Sequence, residues 1–166
     1  MTSPRITYDA FAKAVPAAQA ALIAMGKTAD ESGVDKEIIE LVKLRVSQIN
    51  NCAFCLQIHL NVSRKLGLAQ EKLDLVATWE EAGIFSEKEC AALAWAEALT
   101  RLDGRSVSDA VYAQARKHFS ESEILFLSTS IATINAWNRL GAAFRFAPPI
   151  PRKVAAAASY TKRRNS

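Results

Sequence analysis

The fold is decided by residues 40–67, which read ELVKLRVSQINNCAFCLQIHLNVSRKLG. They contain two of the three cysteines and one of the two histidines of the chain. Cys52, Cys55 and His59 stand three and four residues apart, so they share a face if they lie on one continuous helix. The spacing therefore predicts an ordered arrangement of two thiols and an imidazole along one helix face.

The start of that helix bears on which thiol is the more acidic. Asn50 and Asn51 interrupt the apolar pattern and are good N-caps, which places Cys52 in the first turn. Unpaired N–H groups and the positive end of the helix dipole lower the pKa of a thiol there. His59, one turn beyond Cys55, can instead accept the proton of Cys55. The residues alone leave open which cysteine is more acidic.

The chemistry that a paired dithiol performs is redox chemistry. An ordinary cysteine with a pKa of about 8.5 is only a few per cent thiolate at neutral pH, so it needs an activating group. A thiolate that attacks the O–O bond of a peroxide becomes a sulfenic acid, which a second thiol converts to a disulfide. We therefore expect Cys52 and Cys55 to form a reversible disulfide under mild oxidation.

The wider pattern resembles a known family. Glu40 lies twelve residues before Cys52, and the Cys-x-x-Cys pair is followed by His59 and Gly67. This pattern resembles the core motif of the AhpD-like alkylhydroperoxidases, within the carboxymuconolactone decarboxylase superfamily. Residues 134–139, Ile-Asn-Ala-Trp-Asn-Arg, also resemble a segment of the peroxidase-related branch of that superfamily.

The resemblance implies an all-α, single-domain AhpD-like helical bundle that acts as a thiol-dependent peroxidase or disulfide-exchange protein. It implies a hydroperoxide substrate, a dithiol or thioredoxin-like reductant and a homo-oligomer. Cys55 would be the peroxidatic cysteine and Cys52 the resolving one, with Glu40 and His59 completing a proton relay. Phe54 stands where many better-known members carry a second histidine, so any relay must work without it. We expect no cofactor and no bound metal.

Composition favours the same fold class. Half of the 166 residues are hydrophobic, and Ala and Leu predominate over Val, Ile and Thr, which favours helices over sheets. We expect one domain over residues 1–166, with its core motif at 40–67 and a basic C-terminal tail at about 152–166. Capping boxes at Ser86 and Ser120 predict two helix starts.

Charge and cysteine count limit the location and the partners. The formal charge of +4 is modest and partly concentrated in the tail, which argues against nucleic-acid binding. No run reaches the roughly eighteen apolar residues that a membrane span requires. An odd number of cysteines fits a reducing compartment better than a secreted protein. We expect a cytoplasmic protein that binds neither nucleic acid nor membrane.

Other interpretations compete with the peroxidase. A noncatalytic helical oligomer could hold a redox-sensing dithiol, or a zinc ion on Cys52, Cys55 and His59. The fourth zinc ligand is missing nearby, although Glu40 could complete the set. Lactone decarboxylation is less expected, because superfamily members with that activity characteristically lack the cysteine pair. Apolar helices at 34–67 and 122–146 favour self-association.

The remaining conspicuous residues have structural interpretations. Cys90, among alanines, is expected to fill space in the interior. His118 is expected to stabilise a helix end. Residues 137–139, Trp-Asn-Arg, are expected to pack rather than to line a pocket. Finally, Ser-Gln-Ile-Asn at 47–50 and Ala-Thr-Ile-Asn at 132–135 fall at comparable places in two helical patterns, which weakly indicates two related helical pairs.

Overall fold

A computed structural model describes residues 3–151 of the protein, and within this range the chain forms α-helices and no β-strand. The helices are α1 (Tyr8–Ala14), α2 (Pro16–Lys27), α3 (Lys36–Ile49), α4 (Ala53–Leu66), α5 (Gln70–Leu75), α6 (Trp79–Ala82), α7 (Glu87–Thr100), α8 (Asp109–His118) and α9 (Glu121–Phe144), with 3₁₀ turns at Thr28–Glu31 and Val76–Thr78. The all-α prediction is confirmed. The basic tail expected at about 152–166 lies outside the described residues.

Local sequence signals set most helix ends. Pro16 occupies the first position of α2 and separates it from α1. The Asp35 side chain accepts a hydrogen bond from the Glu37 N–H at the start of α3. Both predicted capping boxes, at Ser86 and Ser120, are formed. Gly67 ends α4 with a φ of 87°, a conformation that glycine adopts without steric cost.

The start of α4 differs from the prediction. Asn50 is the C-terminal cap of α3 rather than an N-cap of α4, and Asn51 has a positive φ of 52°. Cys52 is itself the N-cap, and its Sγ accepts a hydrogen bond from the Cys55 N–H at 3.3 Å. The two asparagines form the turn between α3 and α4. Asparagine suits this turn because it tolerates the left-handed backbone conformation.

The centre of the molecule is α3, which packs against α4, α7 and α9. Val42, Leu44 and Val46 on α3 have no exposed surface. Residues of α3 contribute to both hydrophobic clusters of the described chain, so the helices share one interior and form one domain. Among residues 3–151 no helix has the length and apolar character that crossing a bilayer demands.

Candidate active site

Glu40 and His59 join α3 to α4. Glu40 is only 6 % exposed, and its Oε2 lies 2.7 Å from His59 Nδ1 while its Oε1 lies 2.9 Å from Lys43 Nζ. Burial raises the pKa of this carboxyl, but the hydrogen bonds and charges of His59 and Lys43 outweigh burial and hold the pKa below its ordinary value. Because an ionised carboxylate can only accept, Nδ1 carries the hydrogen and Nε2 is left for proton exchange.

Cys52 and Cys55 form a buried pair, each 2 % exposed. A hydrogen bond from the Cys55 thiol, with help from backbone N–H groups and Asn138, lowers the pKa of Cys52 to about 7 although burial opposes it. The same hydrogen bond, followed by burial and the charge on Cys52, raises the pKa of Cys55. The pair therefore carries its first negative charge on Cys52, as the helix-terminus argument favoured.

Asn138 on α9 holds the pair from the opposite side. Its side chain is 1 % exposed, donates to Ser47 Oγ at 3.2 Å and accepts from Asn50 Nδ2 at 3.0 Å. Its amide also helps to lower the pKa of Cys52 and opposes the rise in the pKa of Cys55. The sequence assigned this residue to packing. Its role as a polar contact of the sulfurs was missed because the only signal was an asparagine inside an apolar helical pattern.

Gly141, one turn beyond Asn138, allows α9 to approach the sulfurs. A Cβ at this position would lie 2.7 Å from Cys52 Sγ and 3.5 Å from Cys55 Sγ. The first distance is well inside van der Waals contact, so any other residue would displace the sulfur or the helix. Gly141 was not singled out from the sequence, because nothing local marks a helical glycine as the site of a close approach.

A cavity of about 290 Å³ lies beside the pair. Cys55 and His59 contribute to its wall, and Cys52 does not. Trp137 lines the cavity, contrary to the expectation that it serves packing alone, and so does Phe54. The ring centroids of Phe54 and Tyr8 are 5.3 Å apart. A packed phenylalanine ring therefore stands where many family members carry a histidine between the two cysteines.

The match to known proteins covers most of the chain. Residues 9–98 match the carboxymuconolactone decarboxylase family. Uncharacterized protein YdfG of Bacillus subtilis is 33 % identical over 141 residues, which are 85 % of this chain and 94 % of YdfG. The chain belongs to the carboxymuconolactone decarboxylase family. The family membership inferred from residues 40–67 is thus confirmed.

Solved structures support the fold of this family member. An Agrobacterium tumefaciens protein of unknown function, described as a candidate antioxidant defence protein AhpD, has 37 % identity and a TM-score of 0.83, covering 90 % of this chain and all of that one. The debrominase Bmp8 superposes with a TM-score of 0.72 at 19 % identity, covering 80 % of this chain and 72 % of its own. The second likeness concerns the fold alone.

The structure brings all four expected residues, Glu40, Cys52, Cys55 and His59, into one region of this family fold. Cys90 lies elsewhere, on α7, with its Sγ 3.8 Å from the Phe85 carbonyl oxygen. Burial raises the pKa of Cys90. Within residues 3–151 no cluster of three or more His, Cys, Asp or Glu side chains has an arrangement suited to a metal ion. The site therefore combines a cavity, an imidazole and a thiol that line it, and a second thiol with a lowered pKa beside them.

Proposed function

We propose that this protein is a thiol-dependent peroxidase that reduces organic hydroperoxides with Cys52 and Cys55 as its redox-active pair. One observation carries the proposal: Cys55 and His59 line the same cavity, and a thiol with a pKa of about 7 is hydrogen-bonded behind Cys55. A thiolate at neutral pH is the form that attacks an O–O bond.

The first step ionises the dithiol. His59 Nε2 takes the first proton of the pair, directly or through a water molecule, and Glu40 holds the imidazole in place through Nδ1. The charge settles on Cys52, which is hydrogen-bonded to the Cys55 thiol. We assign Cys55 as the attacking cysteine because its side chain reaches the cavity, and Cys52 as the base that accepts the proton of Cys55 during the attack.

The second step breaks the O–O bond. The Cys55 sulfur donates an electron pair to the terminal peroxide oxygen, and the alkoxide that leaves takes the proton from Cys52 to become an alcohol. Cys55 is now a sulfenic acid. The Cys52 thiolate attacks the Cys55 sulfur, and the hydroxide that leaves takes the proton held by His59 to become water. Two electrons have passed to the peroxide, and an external dithiol or thioredoxin-like protein reduces the disulfide.

The test is repeated turnover. With excess dithiothreitol, the wild-type protein should consume many equivalents of cumene hydroperoxide, and the Cys90→Ser control should match it. Cys55→Ser should lose this activity. Consumption of a single equivalent, or equal activity in Cys55→Ser, would contradict the proposal.

A redox sensor is the second candidate function. The burial of both thiols, each 2 % exposed, favours it, because a catalyst must admit substrate and reductant repeatedly. The turnover experiment separates the two: a sensor oxidises once and stops, even when reductant and peroxide are both in excess.

We further propose that the protein self-associates and works in the cytoplasm. Leu125 and Ile150 are 63 % and 68 % exposed, which leaves large apolar side chains for a second copy to cover. The odd cysteine count favours a reducing compartment. Sedimentation at micromolar concentration should show an oligomer, and a stable monomer would contradict the first part.

A further inference from the structure

We propose that the cavity beside Cys55 selects elongated hydroperoxides that carry a carboxylate at the end opposite the peroxide, and that Ser130 and Lys27 bind this carboxylate. This inference rests on the proposed peroxidase function and names the class of hydroperoxide that the peroxidase would reduce. The anion-binding end of the cavity is a separate site from the dithiol, and its occupation can be measured without any turnover.

Ser130 is a polar group without a partner at the cavity wall. Its side chain is 1 % exposed, lines the cavity, and its Oγ makes no hydrogen bond within the described structure. A buried hydroxyl without a partner is costly, and native proteins rarely retain one without a reason. A ligand oxygen that accepts from this hydroxyl would satisfy it.

The cavity has two ends, and α9 runs between them. Ser130, Ile134 and Trp137 all line the cavity and lie on one face of α9, while Gly141 on the same helix touches the sulfurs. Eleven residues separate Ser130 from Gly141, which at 1.5 Å per residue is about 16 Å along the helix axis. Ser130 therefore lies at the end remote from the reacting sulfur, and the ligand must be elongated to reach both.

The remote end is also cationic. Gly26 packs against Thr133, which lies one turn from Ser130, because a Cβ on Gly26 would be 3.7 Å from Thr133 Cγ2. Lys27, the next residue, also lines the cavity. The other lysine at the cavity, Lys43, is bound to Glu40. None of the described lining residues is acidic. A carboxylate is the group that both an ammonium and a hydroxyl donor recognise.

Much of the cavity wall is apolar. Its apolar side chains are Leu22, Ile23, Phe54, Ile58, Ile134 and Trp137. The cavity has a volume of about 290 Å³, and the distance of about 16 Å along α9 suits an extended chain of roughly ten carbon atoms. The chemical class that fits is a medium-chain carboxylic acid with a hydroperoxide near its far end.

The test measures binding of an inert analogue, decanoate, to the reduced wild-type protein by titration calorimetry, with decanol as the uncharged comparison. Lys27→Gln should weaken decanoate binding roughly three- to tenfold and leave decanol within twofold, the range expected for one partly exposed charged contact. Ser130→Ala should weaken decanoate binding by a similar factor. With 10-hydroperoxydecanoate as substrate, both variants should raise KM and leave kcat unchanged.

Two variants serve as matched controls. Ser63 is also buried with an unpartnered hydroxyl but does not line the cavity, so Ser63→Ala should leave decanoate binding unchanged. Lys117 is exposed and does not line the cavity, so Lys117→Gln controls for net charge.

The inference is overturned if decanoate does not bind, if Lys27→Gln weakens decanol as much as decanoate, or if Ser63→Ala and Ser130→Ala behave alike. Failure of the proposed function is distinguishable from these results. A protein that binds decanoate as expected but turns over no hydroperoxide would contradict the peroxidase alone. A protein that turns over cumene hydroperoxide but binds no decanoate would contradict the inference alone.

Discussion

Two stretches of similar sequence, residues 47–50 and 132–135, are in contact, and the chain continues differently after each of them. Residues 47–50 end α3, and residues 132–135 lie in the middle of α9. Their final asparagines touch, because Asn50 Nδ2 donates to Asn135 Oδ1 at 2.9 Å. After Asn50 the chain reverses and α4 begins at a new N-terminus. After Asn135, α9 continues without a break to Phe144.

This difference separates the reactive groups from the groups that hold them. The break after α3 creates a helix N-terminus at Cys52, where N–H groups stabilise a thiolate. The continuous helix has no free terminus there, and instead presents Asn138 and Gly141 to the sulfurs. Substitutions of the cysteines at the start of α4 should therefore abolish peroxide reduction. Substitutions on α9 should instead change the pKa of the thiols and the packing around them.

The largest effect is expected from Cys52→Ser at the start of α4. Without a resolving thiol, the Cys55 sulfenic acid cannot form the disulfide, so turnover should fall by about a thousandfold or more. A single, slower oxidation should remain, and a dimedone probe with mass spectrometry should find it on Cys55. Sulfenate trapped on Cys52 in Cys55→Ser, at the wild-type rate, would reverse the roles assigned to the two cysteines.

His59→Gln should slow peroxide reduction at pH 7 by roughly ten- to a thousandfold, because the dithiol loses the base that takes its first proton. Much of the loss should return at high pH, where solvent hydroxide replaces the imidazole. Stopped-flow rates across pH would measure this. An unchanged rate at pH 7 would mean that the helix N-terminus alone activates the thiols and that His59 is structural.

Gly141→Ala tests the close approach of the continuous helix. Its Cβ would overlap Cys52 Sγ, so the free energy of unfolding should fall by about 1–3 kcal/mol. Gly26→Ala is the matched control, because its Cβ would meet only Thr133 Cγ2 at 3.7 Å and the better helix propensity of alanine should stabilise by up to about 1 kcal/mol. Denaturant unfolding that gave the two variants the same sign would refute this account of Gly141.

Asn138→Ala should raise the pKa of Cys52 by roughly one unit, because a hydrogen bond to the thiolate is lost. The alkylation rate of the wild type should rise with pH through about 7 and then level off, and the variant's midpoint should be higher. The pKa of Cys52 is lowered from that of an ordinary cysteine, so its contribution to stability is fully present above that ordinary value and is lost as pH falls through about 7. A midpoint equal to that of the wild type would exclude Asn138 as a contact of the thiolate.

The smallest effect is expected from Glu40→Gln, about two- to fivefold on turnover at pH 7, because Glu40 supports His59 and not the sulfur. Its lowered pKa means that the carboxylate is charged at neutral pH and that the stability it contributes is lost only as the pH falls into the acid range. Steady-state kinetics of Glu40→Gln beside Glu71→Gln, an exposed glutamate on α5 that does not line the cavity, would measure this. A loss larger than that of His59→Gln would contradict the proposed order of the relay.

The sequence by itself determined the features that depend on neighbours along the chain. Helix class, the capping boxes at Ser86 and Ser120 and the end of α4 at Gly67 follow from residues within a few positions of one another. Cys52, Cys55 and His59 were found for the same reason, since their spacing is that of one helix face. Glu40 was found through the resemblance, which fixes its distance along the chain from the cysteines.

Only the tertiary structure decided what faces the dithiol from α9. Asn138 and Gly141 lie more than eighty residues beyond the cysteines, and no local pattern tells which face of a buried helix meets a sulfur. Tertiary structure likewise decided that Cys52 caps α4. Asn50 and Asn51 form the turn after α3, so the next residue, Cys52, is the N-cap. Acidity and access at this site arise from contacts between helices, and helix packing depends on the shapes of surfaces that the chain brings together only when folded.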